Sequence, residues 1–511
     1  MAFVAACAAL VGAGWLVPVA LGKIAVDCDL GVVGGAAGGI YAAWRAAEAG
    51  RSVCVFERNS RIGGRIHSLR GQGPKGDLVV EAGGYRFAPK PVHKGFGPGA
   101  WHVDTPLTAK IIRELDLPSA PYNPNASQWD NGLRKIVTPD GQDAGYLTFI
   151  ERMLERAAAK GARLRLSAPV VALRGMPCTG DACDHLGGVA LKLASGEEVI
   201  VRTVLLNIPQ RPVIELLRSS GGEIAKVFPR ALYNPVSYAI LKVYIHYDDA
   251  WWRNDLGLVS GTFATEEPAA PSDPDAWVPV EGPAPLSGQY HDGDVRCDLP
   301  GGRCRGYLQA FYGDDDAPVA YYAPFANAVA DEPAVEVRPD VEHHRALLEA
   351  VHDSLVRYHR AALLASHGGG GAGEAALRRV EAMRPTGGVL SLWDQGVAGV
   401  HAGCHMPKRL PSGAYPRHGT ISKAALQPLP GWPVYVANEA FGDTMQCFAE
   451  GSLAMAEAAL QRMNVTLPAG GWLEEGFARA LLEPETAAGR VFKDPFFLPP
   501  LGSEEAPSLV I

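Results

Sequence analysis

Between Asp29 and Glu57 the chain reads as a single β-α-β unit. An apolar strand, Asp29–Val33, runs into Gly34-Gly35-Ala36-Ala37-Gly38-Gly39, and an Ala-rich helical run follows from Ala37 to Ala49. Gly50 stands where a helix C-cap glycine belongs, and Val53–Phe56 is a second short strand ending at Glu57. A turn of this kind aims the unpaired N–H groups of a helix N-terminus at an anion, and its glycines let the backbone approach a pyrophosphate. Glu57 lies 23 residues after Gly34, close to the roughly 20 at which an acid reaches ribose hydroxyls. Registering GxGxxG on Gly34 and Gly39 puts Ala36 at the second glycine, where its methyl crowds the pyrophosphate slightly and the neighbouring glycines leave slack. The unit predicts dinucleotide binding rather than a merely structural glycine turn.

The rest of the chain narrows the class. At 511 residues the length suits two to three lobes of roughly 150 residues each. Apolar residues make up 47%, enough for a large core. Gly 59 and Pro 40 together exceed ordinary usage of about 12% without reaching low-complexity levels, so the glycines call for tight turns or close approach to a ligand. The net charge is −8 and no Lys/Arg run is present, which argues against a nucleic-acid partner. Ala2–Gly22 carries no charge and suits a secretory signal with Ala20 and Gly22 before the cut. A retained signal-anchor is the alternative. Cys178/Cys183 and Cys297/Cys304 bracket polar loops that suit local disulfides, and Asn125 and Asn464 open glycosylation motifs. Together these predict a secreted protein.

Apolar spacing predicts helices at Leu107–Leu115, Leu147–Ala159, Val341–Leu364 and Gly451–Met463, and strands within Arg163–Arg174, Val189–Asn207, Tyr238–Tyr247 and Val434–Ala437. Residues 71–100 read mostly as loop, 266–304 as a surface excursion, Ser366–Gly373 as a flexible run, and the tail from Pro468 as one more helix and a Pro-rich end.

Directly after Glu57 comes Arg58-Asn-Ser-Arg61-Ile-Gly63-Gly64-Arg65, a second glycine pair suited to closing over the same pyrophosphate. With Glu81-Ala-Gly83-Gly84-Tyr85-Arg86-Phe87, Ser237–Trp252, Pro433–Glu439 and Phe448–Leu453, all in the same order, the chain resembles the flavin-dependent amine oxidases from residue 29 to about 460. The resemblance implies an α/β fold: a Rossmann-like FAD-binding domain, discontinuous in sequence (27–70, 160–215, 420–465), and an α+β substrate-binding domain (71–159, 216–419). Residues 1–22 would be a signal segment and 466–511 a tail. The implied FAD contacts are Gly34, Gly35, Ala36, Ala37, Gly38, Gly39, Glu57, Arg58, Gly64, Arg65, Gly83, Gly84, Tyr85, Arg86, Val170, Glu439, Phe448, Ala449, Glu450, Gly451 and Ser452.

Gly83–Arg86 looks most like the L-amino-acid oxidase branch, in which an arginine holds the substrate carboxylate. Arg86 offers a bidentate fork for that group and would repel a polyamine's distal cations; a structural salt bridge is its bland alternative. Tyr312, with Phe311 competing for the position, resembles the tyrosine on the same carboxylate. Cys447 and Phe448 fall at the substrate wall, Phe448 where the family usually has tryptophan. Lys242, a lysine on an otherwise apolar strand, resembles the catalytic lysine that reaches flavin N5 through a water. His401, Cys404 and His405 cluster without a fourth partner for zinc, and no G-x-S-x-G elbow is present. The implied activity is oxidative deamination of L-amino acids with molecular oxygen as acceptor. Oxidation of polyamines or other amines, and cofactor binding without turnover, are the alternatives. A homodimer is left open.

Overall fold

The computed structural model describes residues 26–89, 92–94, 101–103, 105–123, 132–177, 186–222, 224–265, 282–326, 332–394, 402–408, 420–442, 447–467 and 471–472. Strand β1 (Cys28–Val33) leads through the glycine turn into helix α1 (Ala37–Glu48), and β2 (Val53–Phe56) lies parallel beside β1. Both strands read as continuous apolar runs because helices and loops cover both faces of a parallel sheet. Glu198–Leu206 pairs parallel to β1 on its other side, Arg163–Arg165 pairs parallel to β2, and Val434–Val436 pairs parallel to the end of Glu198–Leu206. The antiparallel hairpin Val170–Pro177/Leu186–Leu193 completes a seven-stranded sheet. Its parallel strands come from distant parts of the chain, so this Rossmann-like domain is discontinuous. At one end of the sheet, Val33, Phe56, Leu206 and Val436 deliver Gly34, Glu57, Asn207 and Ala437 to a common edge, where ligands of such sheets bind.

The second domain is a seven-stranded antiparallel sheet ordered Thr262–Ala264, Ser287–Gln289, Arg305–Gly313, Ile240–Tyr247, Gly387–Trp393, Ala334–Val337, with Val295–Arg296 on Arg305–Gly313. Helices Glu342–Ala365 and Gly370–Ala382 bury Leu347, Val351, Leu355, Leu377 and Val380 against it. Between the domains, β3 (Ser68–Gln72) and β4 (Leu78–Glu81) form a hairpin whose second strand is wholly buried.

Four expectations need correction. The loop assigned to 71–100 contains β4, whose Leu78 and Val80 pack on Tyr244 and Val389. The division that put 71–159 with the second domain separates helices from their own core: α2 (Pro106–Glu114) and α3 (Thr148–Ala159) bury Leu107, Ile111, Phe149 and Met153 in the first domain. Within the excursion placed at 266–304, residues 284–296 are buried or half-buried, Ala284 and Leu286 lying in the second core, residues 297–302 are mostly exposed, and 266–281 fall outside the described residues. The flexible run Ser366–Gly373 is a 3-10 turn, Ser366–Gly368, followed by the start of a helix. The first and third treat low hydrophobicity as exposure, whereas Leu78, Val80, Ala284 and Leu286 are covered from outside. The pair Cys297–Cys304 forms a disulfide, as do Cys28–Cys54 and Cys404–Cys447, and Cys178/Cys183 lie outside the described residues. Asn464 is exposed and Asn125 falls outside the described residues.

Packing at the glycine turn is tight enough to test. A Cβ on Gly39 would overlap the Gly34 carbonyl oxygen. Alanine gains about 1 kcal/mol of helix propensity over glycine, but overpacking typically costs about 1–3 kcal/mol. The variant G39A should therefore be less stable, read as a lower urea midpoint with unchanged slope.

Candidate functional site

The cradle begins at the start of α1. No side chain caps this helix, its first turn holds no acid, and the first intrahelical bond runs from Ile40 N–H to the Ala36 carbonyl at 2.9 Å. The N–H groups before it face the sheet edge as a pyrophosphate site requires. Gly34 adopts φ 105°, and a Cβ on Gly38 would overlap Ser452. Glu57 is buried, with one carboxylate oxygen accepting from Gly35 N–H at 2.6 Å and the other from Asn59 N–H at 2.9 Å, so spare lone pairs remain for ribose hydroxyls. Ala168 N–H donates to the Glu57 carbonyl, which brings the start of the strand at Val170 to the same end.

Gly63 and Gly64 close on the first glycine turn. Gly63 N–H donates to the Gly35 carbonyl at 2.9 Å, and a Cβ on Gly64 would come 3.0 Å from that of Ala36. The methyl at the departed glycine position thus points at the second glycine loop and accounts for glycine there. Arg58 lies beside Asn59, its Nε donating to Oδ1 at 3.2 Å. Arg65 does not reach toward the first turn. Its guanidinium pairs with Glu439 and also approaches Asn438 Oδ1 at 3.4 Å. His405 N–H donates to the same Glu439 carboxylate at 3.0 Å, and its ring Nδ1 lies 3.2 Å away. Burial alone would raise this carboxyl, but Arg65 and His405 more than offset it and hold Glu439 well below the usual carboxylate range.

Helix Ala449–Arg462 enters the cradle at its N-terminus. Ser452 Oγ accepts from Asn207 Nδ2 at 2.8 Å, and the same amide reaches the Ala437 carbonyl, so one side chain ties the sheet edge to this helix. Ala449 and Gly451 sit in the helix's first turn, within reach of the edge. The Glu450 side chain turns away: it accepts from Leu107 and Thr108 N–H, both at 2.8 Å, and caps α2. Its cofactor role is thereby corrected to a structural one for the side chain, because two unpaired helix N–H groups compete for the carboxylate.

The second half of the site is aromatic. Tyr85, Tyr122, Tyr312 and Phe448 share one cluster, and the Arg86 guanidinium lies 4.8 Å from the Tyr85 ring and 5.2 Å from that of Tyr122. Arg86 makes no hydrogen bond or ion pair among the described residues, so no structural salt bridge to it is seen there. The strand Arg305–Gly313 alternates faces: Phe311 is buried in the second core, while Tyr312 packs against the cluster of Tyr85 and Tyr122. Cys447 is held by Cys404 in a disulfide directly before Phe448, so its thiol is not a free substrate contact. His401 falls outside the described residues, and Cys404 and His405 are engaged by Cys447 and Glu439.

Lys242 is buried under this wall. Its Nζ donates to the Glu81 carbonyl at 3.0 Å and the Gly83 carbonyl at 2.6 Å, and lies 3.7 Å from the Tyr85 ring centre. Gly83 allows the close fit, since a Cβ would overlap the Arg65 carbonyl, and Gly84 N–H donates to that carbonyl at 2.9 Å. Burial pushes Lys242 down from its ordinary value, against the pull of Asp292 and Glu81. Burial likewise pushes the Glu81 carboxyl up, its proton-free form being aided by Tyr146 N–H and Ser68 Oγ. Sequence reasoning missed Asn207 and Tyr122 and weighed His405 only as a zinc ligand. Asn207, directly after a strand, carried a usable signal: a lone amide at the carboxyl end of a parallel strand.

The fold and site define a two-domain protein with a discontinuous, Rossmann-like dinucleotide-binding region and an aromatic site carrying an arginine with no ion pair among the described residues. Residues 32–96 match the family model described as an NAD(P)-binding Rossmann-like domain. Over 98 residues, 19% of this chain, the sequence is 34% identical to an uncharacterized protein of Acanthamoeba polyphaga mimivirus, and the match spans 16% of that protein's length. Among solved structures, putrescine oxidase bound to putrescine is 16% identical with a TM-score of 0.48, covering 86% of this chain and 99% of that one. A double mutant from a redesign of cofactor binding in putrescine oxidase gives 15% and 0.47 at the same coverage.

Proposed function

We propose that this protein is an FAD-dependent oxidase of amines that bear a carboxylate, and that it converts L-amino acids and oxygen to 2-oxo acids, ammonia and hydrogen peroxide. The observation that carries the reading is Arg86: a guanidinium fixed on two tyrosine rings, facing Tyr312 and Phe448, with no acidic partner among the described residues. A planar cation left open at an aromatic wall matches a carboxylate held by two parallel N–H···O bonds. The glycine turns, Glu57 and the start of helix Ala449–Arg462 would hold the dinucleotide, and FAD when bound would supply the two-electron acceptor.

The chain's own contribution is placement. Arg86 fixes one end of the substrate, and Tyr85, Tyr122, Tyr312 and Phe448 exclude water around it. Lys242 pins the Gly83–Gly84 turn from beneath and keeps a positive potential there. Holding reactants in attack geometry lowers a barrier by up to about 7–11 kcal/mol, so a turn locked in position matters to the rate. Three disulfides among the described residues support an oxidising compartment. No helix of the described residues is long and apolar enough to cross a membrane.

Purified protein should be yellow or take up FAD, and should release peroxide from L-amino acids. Turnover of putrescine and longer polyamines in preference to L-amino acids would replace the carboxylate reading with the broader amine one. Bound FAD without turnover of any amine would leave a binding protein.

A further inference from the structure

Four carboxylates lie behind the aromatic wall, and three of them have partners of their own. Asp143 pairs with Lys135 at 3.0 Å, Asp294 pairs with Arg296, and the Glu81 carboxyl accepts from Ser68 Oγ at 2.7 Å and from Tyr146 N–H. Asp292 is equally buried, at 6% exposure, and no cation touches it among the described residues. It stands on the turn after Ser287–Gln289. That turn is pressed onto the strand Arg305–Gly313, because a Cβ on the next residue, Gly293, would overlap the Tyr307 carbonyl. Its carboxylate accepts from Gln309 Nε2, which also donates to the Tyr244 hydroxyl at 2.9 Å. The Tyr244 hydroxyl in turn donates to the Glu81 carbonyl at 3.2 Å, the same oxygen that receives the Lys242 ammonium. Asp292 also lines a small polar cavity with Tyr85, Tyr122, Tyr244 and His291.

Among the described residues, two cations, Arg86 and Lys242, therefore lie against tyrosine rings without a carboxylate in contact, and Asp292, with no cation in contact, lines the cavity bounded by Tyr85, Tyr122 and Tyr244. Buried charges of this kind persist only when compensated. We propose that Asp292 is the shared counter-charge of Arg86 and Lys242, acting across Tyr85, Tyr122 and Tyr244 rather than by contact. It would thereby be a positioning residue that sets the charge state of Lys242 and how tightly the site holds an anion. The arrangement leaves the half-buried Arg86 guanidinium uncovered by any described carboxylate, while Lys242 stays buried on two carbonyls. The other groups facing Lys242 are Glu81 from β4, Tyr85 and Arg86 from the turn after it, Tyr312 and Ser391 from the flanking strands, and Tyr244 from its own. Asp292 and Glu81 favour its protonated form, while Arg86 disfavours it.

The anion half of this inference rests on the carboxylate reading above; the lysine half does not. The test uses the holoprotein with 13Cε-labelled lysine, the Lys242 NMR signal being assigned by its loss in K242M. In D292N the titration midpoint of Lys242 should fall by roughly one pH unit, the scale of one charge acting at an effective dielectric of about 20. Benzoate, as a probe carboxylate, should bind about tenfold more tightly. D292E, which keeps the charge, should restore both. An unmoved midpoint in D292N overturns the proposal. A moved midpoint with no benzoate binding to wild type or variant would sustain the counter-charge and sink the carboxylate reading alone. Should D292N fail to fold, D292S decides: it removes the same charge with a small polar side chain, the Lys242 midpoint should fall likewise, and an unmoved value there overturns the proposal as well.

Discussion

Replacing Arg86 with alanine should lower kcat/KM for L-amino acids at least tenfold while leaving amines without a carboxylate within about threefold of wild type. A hydrogen bond to a charged group is worth about 1.5–3 kcal/mol, which is roughly 10- to 150-fold. The loss should fall in substrate selection rather than in folding, because among the described residues Arg86 has no ion pair to break and contributes ring stacking to the tyrosines. R86K is the finer probe. It keeps the charge but loses the planar fork, so activity between R86A and wild type is expected. Steady-state kinetics on a matched pair, an amino acid and its decarboxylated amine, give the comparison directly. Equal losses on both members would remove Arg86 from carboxylate recognition.

Replacing Glu439 with glutamine should be the most disruptive single change at the cofactor edge. It leaves Arg65 beside a neutral amide and His405 without its acid. Removing one partner of a buried pair costs about 3–5 kcal/mol; Arg65 is 22% exposed, so solvent screening brings the expected loss toward the lower end of that range. The pH dependence has a definite sign. The carboxyl of Glu439 is held below its ordinary value of 4.5 in the folded protein, so its contribution is fully present above about that pH and is lost as pH falls toward the folded value. Wild type should lose stability on acidification below that point, and E439Q should show a lower but flatter acid limb. Thermal melts across the acid range measure both. An E439Q curve parallel to wild type would mean that the ion pair contributes nothing to the pH dependence.

The glycine turns, Glu57 and the helix entering at Ala449 were legible because their chemistry is local. A strand, a glycine cluster and a helix within thirty-odd residues impose a backbone shape whatever surrounds them. Arg86 was legible as a residue type, since a lone guanidinium beside Gly83–Gly84 stands out, but its freedom from a salt bridge was not. That depends on what the folded chain brings near it. Segment 284–296 was misjudged for a related reason: a polar, turn-rich stretch read as surface, although the elements covering Ala284 and Leu286 come from elsewhere in the chain. Glu450 shows the limit most sharply. Its position in the helix entering the cradle suggested a cofactor contact, yet its carboxylate is claimed by the N-terminus of α2, more than three hundred residues earlier.

What the amino-acid order determined by itself is the dinucleotide cradle and the kinds of side chain available around it, because backbone conformation over a few residues follows from glycine, helix start and strand pattern. What only the tertiary structure decided is which charges meet: Arg65 with Glu439, Lys242 with two carbonyls, and Arg86 and Asp292 with no opposite charge in contact. Electrostatic partnership falls off over a few ångströms and requires groups from separate strands to be brought together, and that proximity is set by packing of the two sheets rather than by spacing along the chain.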